Sequence, residues 1–128
     1  FEHRSFGEEL ALCQRYFQVV TYENGGTISV GILYTNGTHC LAPMDYKGAK
    51  MRVAPTITMP SAGQSGGNVS FLSNTSAYPS TTGTHEAIYI SDSHYNIRGN
   101  NYVGLPSNGG ASWFYNNGDV NYQYDSEL

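Results

Sequence analysis

A chain of 128 residues with a formal charge of −4 has room for one domain built around one core. Only 12% of its residues are charged, about half the ordinary share, and 11 tyrosines and 15 glycines are conspicuous among the rest. That composition excludes a disordered chain, which is rich in charge and poor in aromatics. The scattered basic residues exclude a cationic stripe for nucleic acid or an anionic membrane surface, and no apolar run approaches the ~20 residues that cross a bilayer.

The first predicted element is a helix over residues 6–17. Ser5 followed by Glu8 is a capping box, and Glu8, Glu9 and Arg15 suit the helix dipole. Leu10, Cys13 and Phe17 recur at helical spacing, a stripe that so short a helix must dock on something. The pattern then turns to β. Residues 18–23 form a strand ending at the turn Asn24-Gly25-Gly26. Residues 27–35 (TISVGILYT) follow, with Ile28, Val30, Ile32 and Tyr34 on one face, and Asn36-Gly37 closes a hairpin. The return strand, 38–42, is expected to break at Pro43. Residues 51–59 (MRVAPTITM) read as a strand that Pro55 confines to an edge or a bulge, with Met51, Val53, Ile57 and Met59 on one face. After a loop over 61–68 come a strand at 69–73, a long polar loop at 74–84 and an alternating strand at 86–91. Periodicity does not assign residues 95–102, and 105–110 reads as a loop. A strand at 111–115, the hairpin-type turn Asn116-Asn117-Gly118-Asp119 and a strand at 120–124 close the chain. About eight strands behind one short N-terminal helix predict an all-β domain, a β-sandwich or jelly-roll-like fold.

Two cysteines, Cys13 and Cys40, make no disulfide framework. They read either as small buried apolar residues or as one bridge. His85, Glu86, Asp92 and His94 lie close in sequence, but Glu86 and Asp92 would be about 20 Å apart on a straight strand. No metal site, cofactor or catalytic residue is expected, and the chain is not expected to be an enzyme: paired carboxylates, Ser-His-Asp order and phosphate loops give no signal. Tyr78, Tyr95, Tyr102, Trp113, Tyr115, Tyr122 and Tyr124 lie in or beside polar loops. The candidate ligand site takes Tyr95, Asn96, Asn100, Asn101, Tyr102, Trp113 and Tyr115, because rings stack on the C–H face of a sugar and amides bond its hydroxyls. Cross-strand packing is the competing expectation for Trp113 and Tyr115.

Three stretches carry a likeness: FEHRSFGEELALCQRYF at 1–17, MRVAPTIT at 51–58 and YDSEL at 124–128. Together they resemble the C-terminal β domain of bacteriophage and large-virus structural proteins, tail-fibre-like ones included. The resemblance implies a virion protein in an extracellular particle, with other virion proteins as partners. It implies a homotrimer, with Leu10, Cys13 and Phe17 as candidate assembly residues. Residues 1–17 would be linker and helix following an upstream domain, and 18–128 the sandwich; the absence of an initial Met also suggests a fragment or processed product. The leading expectation is recognition of a host-surface glycan. The alternatives are a capsid decoration, cement or fibre-capping domain, and a carbohydrate-binding module joined to an upstream enzyme.

Overall fold

The computed structural model describes residues 3–23, 25–34, 38–73, 78–106 and 110–127. The element order is α1 (Phe6–Gln14), β1 (Phe17–Tyr22), β2 (Gly26–Tyr34), β3 (His39–Asp45), β4 (Thr56–Thr58), β5 (Asn68–Ser73), β6 (Thr84–Ile88), β7 (His94–Asn100), β8 (Ala111–Asn117) and β9 (Val120–Asp125). They form two antiparallel sheets, a small one ordered β1-β9-β4 and a large one ordered β5-β8-β2-β3-β7-β6. The chain is thus an all-β sandwich with one short N-terminal helix, as its turn spacing predicts.

Period-2 alternation builds the core. Tyr95 and Ile97 on β7, Cys40, Ala42 and Met44 on β3, and Phe71 and Phe114 on β5 and β8 point inward from the large sheet. Val120, Tyr122 and Tyr124 meet them from β9. Tyrosines therefore fill much of the space between the sheets, and a buried hydroxyl needs a partner. Tyr95 and Tyr124 supply each other's, with their oxygens 2.8 Å apart, and Tyr46 donates to the Ser91 carbonyl at 2.9 Å.

Several local expectations are corrected. Most of residues 95–102 belongs to a strand, β7, inside the large sheet, and its Asn and Gly residues obscure a clean in-out alternation. Pro43 does not break β3. Its carbonyl accepts from Ser29 Oγ at 2.5 Å, so its missing N–H faces β2, where the β2–β3 ladder has already ended at Ile32↔Leu41. On β2 a bulge at Ile28 shifts the register, so Ile28 packs toward the core while Val30 and Ile32 face out, 56% and 53% exposed. Gly31 then lies so near β3 that a Cβ would sit 1.8 Å from the Leu41 carbonyl oxygen. The strand expected over 51–59 shrinks to β4; Met51 is buried while Val53 is 41% exposed, so the four apolar residues do not share one face. The turn after β8 is a corner and not a hairpin, since β8 and β9 lie in different sheets. Asn116 holds it by donating to the Tyr22 and Gly118 carbonyls at 3.0 and 2.7 Å. Cys13 is exposed and Cys40 buried, both as free thiols, and burial pushes the Cys40 thiol up to about 12. The Asn36-Gly37 hairpin lies outside the described residues.

The helix opens on its expected capping box, with Ser5 N–H donating to Glu8 Oε2 at 2.7 Å and Glu8 N–H to Ser5 Oγ at 3.3 Å. It ends earlier than expected, at Gln14, where a nearby side chain takes the last helical carbonyl and long-range donors take the carbonyls at the cap and just beyond it. Gln18 Nε2 reaches the Gln14 carbonyl at 2.9 Å and the Ala49 carbonyl at 2.6 Å. Arg52 N–H and Ser126 Oγ both donate to the Arg15 carbonyl at 2.7 Å, and Ser126 N–H donates to the Tyr16 carbonyl at 2.8 Å. The Arg52 guanidinium lies over the Tyr16 ring, 5.4 Å from its centre, and β4 pairs Thr56 with Asp125. The three stretches behind the viral resemblance thus meet in one clasp that joins the helix, the 51–58 segment and the end of β9. Ser126→Ala is expected to lower stability by about 1–2 kcal/mol, since it removes a buried donor from two carbonyls. Urea unfolding monitored by circular dichroism measures it.

Candidate functional site

The outward face of the large sheet carries the candidate site, and the strand register fixes what lies on it. One cross-strand row runs Leu72, Trp113, Val30, and its neighbour runs Ala111, Ile32, Leu41, Arg98, Glu86. The middle is apolar and open through Val30 and Ile32. Two exposed β-branched side chains two residues apart on one sheet face offer a partner apolar surface. On the β6–β7 side the face is polar. Arg98 Nε donates to Glu86 Oε1 at 2.5 Å and Asn100 Nδ2 donates to the same oxygen at 3.1 Å. Those bonds, Arg98 first, hold the Glu86 carboxyl below the ordinary range.

On the β5–β8 side, residues 64–66 and Tyr78 rise over the sheet and make an open groove of about 570 Å³. Part-buried Trp113 and nearly covered Tyr115 line it from β8. Tyr78, 59% exposed, stands edge-on to Tyr115 with ring centres 5.8 Å apart at 82°. Gln64 Nε2 donates to the Pro79 carbonyl at 2.5 Å, which ties the two loops together, and Asn117 Nδ2 donates to the Gly63 carbonyl at 3.1 Å, which ties the first of them to β8. Burial raises the pKa of the Tyr115 phenol, whose hydroxyl has no hydrogen-bond partner among the described residues.

The predicted ligand residues separate into two groups. Trp113 and Tyr115 line the groove. Asn96 and Asn100 lie part-buried on the same outward face but on β7, with β2 and β3 between, about 14 Å away at about 4.8 Å per strand. Asn101 is exposed just past β7 in the left-handed conformation, φ 61°. Tyr95 and Tyr102 are corrected: both rings are fully buried and cannot stack on a ligand. Tyr102 accepts from the Phe71 N–H at 3.2 Å and shares a short hydrogen bond with His85 Nε2. Tyr122 and Tyr124 are likewise core. Gln64 and the outward turn of Val30 escape sequence reasoning, because a loop folding over a sheet and a one-residue bulge leave no periodic signal.

The titratable cluster is dispersed. His85 points into the core, Glu86 pairs with Arg98, Asp92 pairs with Lys50 at 3.0 Å, and His94 lies exposed beside Ser91 and Ser93. Of the assembly residues, Leu10 and Cys13 are exposed on α1, and Phe17, 42% exposed, opens β1 and is not helical. Among the described residues no member of α1 is buried, so its stripe is not docked on the sandwich. Comparison with family models, with curated proteins and with solved structures finds no match.

Proposed function

We propose that this chain is the C-terminal recognition domain of a virion fibre or tail-associated protein, which holds the particle to host-surface glycan without chemistry of its own. The observation that carries the reading is the uncovered outward face of the large sheet, apolar at Val30 and Ile32 and grooved beside Trp113. The three-part sequence pattern adds to it. Single contacts on so open a face are weak, and linked copies in a homotrimer multiply them.

A second reading, a capsid decoration or fibre-capping domain, is favoured by the other apolar strip. Phe6, Leu10, Phe17 and Val19 are 84%, 45%, 42% and 54% exposed, which suits burial against virion neighbours. Cryo-electron microscopy of the intact particle separates the two. Three copies at a distal tip, with the large sheet's outward face toward solvent, are the expected result. Copies spread over the capsid lattice with that face against shell subunits would overturn the recognition reading.

A further inference from the structure

We infer that the groove between Tyr78, Trp113 and Tyr115 binds an uncharged saccharide; the inference rests on the recognition reading and gives its ligand class. Size is compatible: about 570 Å³ falls in the range of about 300–1,000 Å³ in which ligand pockets are found. The groove is open along its length, so a sugar chain would lie across it with its ends in solvent.

The rings supply the stacking surface. Tyr115 braces Tyr78 edge-on, at 82°, so the exposed face of Tyr78 is held and not free to sweep. Trp113 offers the broadest ring on the strand beneath. A pyranose has an apolar C–H face that such rings cover, and its hydroxyls need directed partners at the edge.

Those partners include acceptors. The amide nitrogens of Gln64 and Asn117 donate to the Pro79 and Gly63 carbonyls, and each amide has its carbonyl oxygen to offer a ligand. Sugar hydroxyls donate to such oxygens. A sialate, sulfate or phosphate would bring its charge to a lining that holds no cation. Among the described lining residues there is no Lys, Arg, His, Asp or Glu, so no ion pair compensates a charged ligand. An organic cation would also meet the rings, but an open groove leaves it hydrated, where a cation–π contact is weak. Neutral, hydroxyl-rich and partly apolar is the chemistry that remains.

The test titrates the isotope-labelled chain by NMR with maltotriose, chitotriose and a galactose trisaccharide. Sialyllactose, sulfated lactose and choline are run in parallel. The expected result is binding of at least one neutral sugar, with shifts at residues 64–66, 78 and 113–118. Tyr78→Ala and Trp113→Ala should each weaken it by about tenfold or more, the loss of one stacked ring. Tyr78 is a rim residue, so its variant keeps the test valid if Trp113→Ala fails to fold. Preference for the anionic sugars, binding of choline alone, or no binding of any neutral sugar at millimolar concentration would overturn the inference. The same preparation is tested for adsorption to host cells. Adsorption that survives without neutral-sugar binding would sink the ligand class and leave the recognition reading standing; loss of adsorption as well would sink both.

Discussion

Tyr124→Ala is expected to cost about 4–8 kcal/mol, a large share of the stability of a domain this size. Truncating a fully buried aromatic costs about 3–5 kcal/mol through lost contact and the cavity left behind. Tyr124 is 0% exposed and packs edge-on against Tyr46 and Tyr95 with ring centres 4.8 and 5.7 Å away. The variant also orphans the Tyr95 hydroxyl, whose partner is Tyr124 at 2.8 Å, and a buried orphan adds about 1–3 kcal/mol. Two residues earlier on the same strand, Tyr122 is equally buried, but its hydroxyl has no hydrogen-bond partner among the described residues. Tyr122→Phe keeps the ring and removes an unsatisfied oxygen, so it is expected to be neutral or stabilising by up to about 1 kcal/mol. Urea denaturation of both variants measures the contrast. Equal losses at the two positions would contradict this account of the tyrosine core.

Stability is expected to fall as pH drops from about 6.5 to about 4, through His85. The His85 ring sits among Phe71, Tyr102 and Phe114, with ring centres 5.6, 5.9 and 5.5 Å away. Tyr102 oxygen already accepts the Phe71 N–H, so its own proton is available to His85 Nε2. Burial favours the neutral imidazole and drives its pKa down from 6.5 to about 4. The sign follows: between those values the unfolded chain binds the proton and the folded chain does not. His85 therefore contributes fully above pH 6.5, and its contribution is lost as pH falls toward 4. The complete loss is on the order of 3 kcal/mol, at about 1.4 kcal/mol per pH unit. Glu8 and Glu86 are held below the ordinary carboxyl value of 4.5, so their acid losses come lower than that of His85. Denaturation curves at about pH 7.5, 5.5 and 4.5 test it. A His85→Gln variant is expected to lose the slope across that interval.

What the sequence made legible was the local part. The Ser5–Glu8 cap, the alternation of β9 and the turn residues at Gly25 and Gly118 each act within a few positions, so periodicity and turn chemistry reveal them. Non-local geometry was hidden. Pro43 looks like a strand breaker until it is known that no ladder bond is needed on its β2 side. Val30 and Ile32 look inward until the bulge at Ile28 is seen. The candidate site divides the same way. Trp113 and Tyr115 belong to one strand with one outward face, and the structure keeps them together. Tyr95 and Tyr102 have the same amide-rich neighbours as a recognition loop, but one lies on interior β7 and the other just past it, and both rings turn into the core. Nothing local distinguishes a tyrosine that meets a ligand from one that fills a sandwich.

The place of β9 between β1 and β4 has a consequence for how the chain is made. The strands β2, β3, β7 and β6 are neighbours in the large sheet, and all are available once residue 100 has left the ribosome. β1, β4 and β5 must wait, because among the described residues β9 is the sheet partner of the first two and β8 that of the third. Pairing across nearly the whole sequence is slow to form, and unpaired strands wait exposed during synthesis at about 5–20 residues per second. The same late pair of strands brings Trp113 and Tyr115 to the groove and Ser126 to the clasp. A nascent chain that stops before β8 and β9 therefore has neither the small sheet nor the groove, and fold and groove arrive together with those two strands.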